Sequence, residues 1–382
     1  MHHHSRRGFL ARTLGAAWLG ASLPERAMLR AAQARAQSKA PLPKLFDIEK
    51  VADGIYAAIA RGRALINSNS VIFENEKDLL IVDAHAAPSA VYSLVAQIRR
   101  EVSPKPVRYV ITTHLHGDHT QGLPGYRKLY PSADIVSSAK TRELLVELGP
   151  QRLKAAVDAI PASIENLRKR LDAARTAEEK AYFQEMIAQS RAFLEEMRNM
   201  PVELPNMTFD EHMTIHDKGH DLQLSFRGRG HTAGDIVVFC PQKKVIASGD
   251  LLHGFFPTIG DGYPRDWPAT LRSMSELSFQ QVIGGHGGVQ HSPDRLPQLR
   301  AYFEEMLELV ARAKERGTPL ERLLQGVTPA SLKTLAQGGY GDYLTAEVKR
   351  CDFRVHLDTP AQVFARGVRD NLTAVYRNYD RA

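Results

Sequence analysis

The sequence predicts an α/β protein in which sheets pack face to face and helices cover their outer sides. Two groups of strand-like segments, within 54–114 and 213–284, each alternate with helical stretches, the pattern of a layered sheet domain. A long Ala-, Glu- and Lys-rich stretch separates the two groups. Each group ends its strands in loops that carry His, Asp and Gly.

The N-terminal residues stand apart. The chain has 382 residues and a formal charge of +7, but residues 1–36 hold six arginines against Glu25 and carry +5 of it. The +2 that remains is too small for an electrostatic footprint on nucleic acid. "SRRGFLARTLGAAWLGASLP" places Arg6 and Arg7 before Phe9-Leu10 and a moderately apolar run, and Ala34-x-Ala36 suits a signal peptidase. It resembles a twin-arginine signal, which implies a periplasmic or secreted protein. No later stretch approaches the roughly 20 apolar residues of a membrane span, so no membrane anchor is expected of the mature chain. Cys240 and Cys351 are too few for a disulfide framework; they could pair in an oxidising compartment or remain buried thiols.

Residues 37–297 read as the sheet domain. "GIYAAIA" (54–60) and "NSVIFENEKDLLIVDA" (69–84) read as strands, the second a hairpin turning at Glu76-Lys77-Asp78. "SAVYSLVAQIRREV" (89–102) has helical spacing, and "VRYVITTH" (107–114) is continuous enough for a strand buried on both faces. Residues 142–200 read as a helical insertion of two or three segments. Strands return at 213–228, 235–240 and 244–250, followed by a helix at 268–277 and a short strand in "QVIGGHGG" (281–288). Residues 298–382 form a helical C-terminal extension. Amphipathic faces in these helices suit intramolecular packing first and a homodimer interface second.

"THLHGDH" carries the chemistry. His114 and His116 are two apart, so an extended backbone points both imidazoles to one side. Gly117 allows a turn, and Asp118 and His119 follow on the next bend. Zinc takes imidazole nitrogen and carboxylate oxygen at about 2.0–2.2 Å and needs about four ligands, so other segments must complete the site. Three are suited to it: His231 in "GRGHTAGD", Asp250 in "ASGDLLHG" and His286 in "GGHGG", each where a strand runs into a loop.

On these residues, taken with Asp83 at the end of "LLIVDA", the stretch 45–292 resembles the metallo-β-lactamase-fold hydrolase superfamily. The resemblance implies a four-layer αββα sandwich with a dinuclear metal site on one sheet edge. It implies that His114, His116 and His231 bind one metal, that Asp118, His119 and His286 bind a second, and that Asp250 bridges them. Asp83 would orient the ligand loop without touching metal. Many zinc β-lactamases have Cys or Ser where this chain has Asp250. The aspartate is closer to hydroxyacylglutathione hydrolases (glyoxalase II), lactonases, alkylsulfatases and exported quinoprotein-relay hydrolases. Nitrogen and oxygen ligands suit two zinc ions and would also accept iron or manganese.

The expected activity is hydrolysis, by hydroxide shared between two metals, of a small ester, thioester, lactone or cyclic amide, with β-lactams included in the range. Asp118 or Asp250 would relay the proton. Two alternatives are a mononuclear iron persulfide dioxygenase and an exported metal-binding protein without turnover. A small molecule is the expected partner, and nucleic acid is not. His253, three after Asp250, and His85, two after Asp83, are candidate substrate contacts. So are Phe255, Phe256, Tyr263 and Trp267, as a wall of the pocket. His212, His216 and His220 read as ordinary surface residues.

Overall fold

Seven strands form one sheet of the computed structural model, which describes residues 44–61, 67–350 and 359–381. The predicted export signal, the first residues of the predicted sheet domain and Cys351 lie outside these. The strands are β1 (Phe46–Ala52), β2 (Ile55–Ala60), β3 (Ser70–Glu74), β4 (Leu79–Val82), β5 (Val107–Ile111), β6 (Asp134–Ser138) and β7 (Met207–Phe209), in that spatial order. β1 to β4 run antiparallel, and β4 to β7 run parallel. Residues 75–78 turn the β3–β4 hairpin where the charged Glu-Lys-Asp run predicts it.

The second sheet orders five strands as β12-β11-β10-β9-β8. They are β8 (His212–His216), β9 (Asp221–Phe226), β10 (Ile236–Cys240), β11 (Val245–Gly249) and β12 (Gln281–Gly284). All pairs are antiparallel except β11 and β12.

Apolar side chains on both faces of the central strands build three layers of core. Phe73, Leu80, Val82, Ile111, Val136, Leu224, Val238 and Ile283 fill the space between the sheets. The outer face of the first sheet packs on α1 (Pro88–Glu101), where Val91, Leu94, Val95 and Ile98 recur at helical spacing, and on Leu123 and Tyr126. Pro88 starts α1 at the position where its missing N–H costs nothing. The outer face of the second sheet packs on α6 (Trp267–Ser275) and α7 (Arg295–Glu315) through Trp267, Leu271, Phe303 and Met306. The fold is therefore an αββα sandwich. The later helices, including α10 (Tyr340–Arg350) and α11 (Pro360–Asn378), join this last core through Leu344, Val368 and Leu372, so they are not a separate layer.

The insertion is two helices between β6 and β7: α4 (Ala139–Ala173) and α5 (Ala177–Met197). It begins three residues before the predicted start, because Ser138 accepts a hydrogen bond from the Thr141 N–H and caps α4 directly off β6. A reciprocal cap between Thr176 and Glu179 starts α5. Neither β6 nor β7 stands out in the sequence, since β6 runs straight into a helix and β7 is a three-residue edge. Cys240 is buried in β10 and forms no disulfide among the described residues. No helix among the described residues is long and apolar enough to cross a membrane.

Two short helices, α2 (Gly117–Thr120) and α3 (Leu123–Leu129), follow β5 and fold back on the β4 exit. The turn between them is tight: a Cβ on Gly122 would lie 1.7 Å from the Ala84 carbonyl oxygen. Gly122→Ala is expected to cost about 3 kcal/mol by overpacking, read as a lower urea midpoint at unchanged slope. An unchanged midpoint would mean that this turn is not packed as described.

Candidate metal centre

Strand direction explains why distant residues meet. β4, β5, β11 and β12 all end at one edge of the sandwich, and the β9–β10 connection returns to that edge because β10 opposes β11. Asp83, the 114–119 loop, His231, Asp250 and His286 all leave from these ends. The sheets are joined here by backbone and side chain. The Ile236 N–H donates to the Thr113 carbonyl at 3.0 Å, and Asn69 Nδ2 donates to the Gly284 and Gly287 carbonyls at 2.9 and 2.8 Å.

All seven side chains implied as ligands converge. Three sets have their ligand atoms within 4.8 Å of one another: His114, His116 and His231; Asp118, His119 and His286; and His114, His119 and Asp250. Asp250 lies between the groups, with one carboxylate oxygen 3.5 Å from His119 Nε2 and the other 3.5 Å from both His231 Nε2 and His286 Nε2. Asp118 Oδ2 is 3.0 Å from His286 Nε2.

Four of the five imidazoles are aimed by a partner on the far nitrogen. His119 Nδ1 lies 2.7 Å from Asp83 Oδ2, His231 Nδ1 2.8 Å from the Thr258 carbonyl, and His114 Nδ1 3.0 Å from Thr113 Oγ1. His116 presents Nδ1 to the cluster and Nε2 to Asp261 Oδ2 at 2.8 Å, and Arg152 from α4 binds the same oxygen at 2.8 Å. Such partners fix ring orientation and raise ligand basicity.

Asp83 is 2% exposed, adopts φ +67°, and accepts from the Thr113 N–H and Oγ1–H at 2.9 Å as well as facing His119. Asp235 secures the next loop by accepting from the Thr232 N–H and Oγ1–H; burial pushes its carboxyl up to about 7 in spite of these bonds.

The donor set fits cations. His114 Nε2, His119 Nε2 and Asp250 Oδ1 are buried without a hydrogen-bond partner among the described residues, an arrangement that is costly unless a charge of the right sign meets them. Burial and the neighbouring imidazoles hold His114 well below its ordinary pKa, and burial holds His231 down to about 3, so both are neutral donors. Burial alone would lower His286, but Asp250 and Asp118 override it and raise the ring to about 10. Burial would likewise raise Asp118 and Asp250, yet their histidine neighbours hold both well below the usual carboxylate range. The loop that carries His286 must come very close: a Cβ on Gly285 would sit 2.2 Å from Asp250 Oδ1.

The other candidates are placed differently. His85 is fully buried, with Nδ1 2.9 Å from the Ser68 carbonyl and Nε2 3.2 Å from Ser70 Oγ; burial lowers it to about 3, and it braces the loop from inside. The four aromatic residues do not form one wall. Trp267 is in the core behind His231, its Nε1–H donating to the Leu251 carbonyl; Phe256 meets Phe364 edge to face; Tyr263 lies between Arg229 and Arg381; Phe255 is half-buried beside His253. What that segment does supply, through Thr258 and Asp261, is orientation of the His231 and His116 rings. His253 is buried, accepts the Phe255 N–H at Nδ1, and has its ring 5.7 Å from that of His286; burial lowers it to about 4. His212 and His216 are exposed, but His220 is buried and bonded to Asn75 Oδ1.

The chain belongs to the metallo-beta-lactamase superfamily, whose family model matches residues 63–281. It is 26% identical over 106 residues to a curated metallo-beta-lactamase type 2 of Elizabethkingia meningoseptica, across 24% of this chain and 41% of that protein. The match therefore spans only about two fifths of that relative's length. Similar solved structures include a metallo-beta-lactamase from Pontibacter korlensis, at 16% identity and TM-score 0.49, covering 68% of this chain and 99% of that one. DIM-1 metallo-beta-lactamase is similar at 19% identity and TM-score 0.49, covering 69% and 98%.

Asp83→Asn keeps the shape of the buried carboxylate and removes its charge. It is expected to weaken metal binding about 10- to 100-fold, measured by competition with a chromogenic chelator. An unchanged affinity would show that Asp83 does not act on the ligands.

Proposed function

We propose that the protein is a metal-dependent hydrolase acting on a small ester, thioester, lactone or cyclic amide. One observation carries the reading: seven ligand side chains meet at one sheet edge, in sets whose donor atoms lie within 4.8 Å of one another. His114, His116 and His231 would hold one zinc ion, and Asp118, His119 and His286 the other, with Asp250 between them. A pair of such ions supplies a nucleophile from water near neutral pH and Lewis-acid polarisation of the scissile bond.

The chain's own part is positional and acid–base. Asp83, Thr258 and Asp261 hold the rings of His119, His231 and His116 in place. Asp118 has 26% of its side chain exposed against 6% for Asp250, so it is the carboxylate able to take a proton from attacking water and return it to the leaving atom. Asp250 supplies buried negative charge between the two histidine groups.

The relative's name raises β-lactams, and Asp250 in the bridging place favours esters, thioesters and lactones. If residues 1–36 serve as an export signal, the reaction belongs to the periplasm or beyond.

Metal-loaded protein assayed against lactones, thioesters, β-lactams, sulfate esters and phosphodiesters tests the reading. Asp118→Ala and His116→Ala are each expected to lose at least about 100-fold in kcat/KM on the best substrate; full turnover by both would sink the site assignment. Metal content with oxygen uptake on a persulfide separates hydrolysis from iron chemistry.

A further inference from the structure

The geometry points to a substrate with a long unbranched apolar chain, carried in a groove between the helical insertion and the ligand loop. We propose that α4 and α5 form the wall that selects such chains. This rests on the hydrolytic reading of the metal edge.

A cavity of about 400 Å³ begins at Gly117 and Asp118, beside the ligand cluster, and passes between Leu115 and Pro124 on one side and α4 on the other. A second, of about 710 Å³, continues along α4 as far as Pro161. The two share Leu153, Met197, Pro201 and Val202, so they form one run. From Leu145 to Pro161 it follows about 24 Å of helix, too long for a small acyl group and of the length of an extended chain.

The chemistry of the lining selects against a polar occupant. Every charge along the groove has its own counter-charge. Arg152 is bound to Asp261, Glu203 to Arg127 Nε at 3.0 Å, Lys154 to Asp158, and Arg198 to Glu195 at 3.3 Å. Asp118 faces His286 and belongs to the metal cluster. Apart from Thr120 and Gln121 at the metal end, what is left to meet a ligand is apolar side chain, with half-buried Met200 in the second cavity able to adapt to flexible chains. The groove is also the place where the insertion touches the metal edge, because Arg152 reaches Asp261 and through it His116. A bound chain would therefore set its reacting end next to Asp118.

The test uses the full metal-loaded chain and p-nitrophenyl esters from acetate to decanoate. Burial of each added methylene is expected to raise kcat/KM about threefold, on the order of several thousandfold over the eight methylenes of the series. Ala156 lines the first cavity at an exposed helix position. Ala156→Trp is expected to lower the decanoate-to-acetate ratio at least about tenfold by filling the groove. Calorimetric titration of the unaltered protein with decanamide and with acetamide reads binding without turnover, and only decanamide should give saturable heat. A flat chain-length profile overturns the proposal, whatever the absolute rate. If no ester is turned over, decanamide decides: saturable binding that Ala156→Trp weakens supports the groove while the hydrolytic reading falls, and absence of heat overturns the groove.

Discussion

One buried carboxylate holds the metal edge together. Asp83 sits where β4 ends, in a left-handed backbone conformation that costs a non-glycine residue about 1–2 kcal/mol. Aspartate is among the residues that tolerate it best, and here the side chain offsets the strain. It takes two hydrogen bonds from Thr113 and faces the ring of His119, so the β5 exit and the α2 turn are set against the β4 exit at one point. A desolvated charge with fewer partners would be unfavourable in that position. The loop that carries His114 to His119 is thus fixed to the β4 exit by these bonds, and pre-organisation of this kind is what a metal site requires.

A second constraint joins the two sheets. His286 leaves the second sheet, and the rest of its ligand set leaves the first. Asn69 spans the gap with its backbone N–H on the Gly285 carbonyl and its side-chain amide on the Gly284 and Gly287 carbonyls. From the far side, Glu347 in α10 accepts the Gly288 N–H at 3.0 Å. The glycine-rich loop around His286 is therefore gripped from both sides. That reconciles its conformational freedom with the fixed position a ligand needs.

The residues that cluster were legible in the sequence because metal chemistry restricts residue type and local spacing does the rest: His114 and His116 two apart, then Asp118 and His119 after a glycine. His231, Asp250 and His286 could be read because each stands beside glycine in the loop after a strand. Asn69, Arg152, Thr258 and Asp261 could not be read in this way. Their roles come from contacts with residues 27 to 218 positions away, and nothing in their type marks them. The aromatic segment misled for a related reason. A pocket wall and a core ask for the same side chains, and Trp267 is core. The strand pattern did not single out β1, β6 or β7: β6 runs straight into a helix, and β7 has only three residues.

The Arg152–Asp261–His116 contacts link the insertion to the metal edge, so the wall of the proposed groove also helps to hold His116 in place. The most direct measurement is anomalous scattering at the zinc edge from crystals of the zinc-loaded chain. Two peaks about 3.5–4 Å apart are expected, one at His114, His116 and His231 and the other at Asp118, His119 and His286. A single peak away from these side chains, or none among them, would contradict a dinuclear centre.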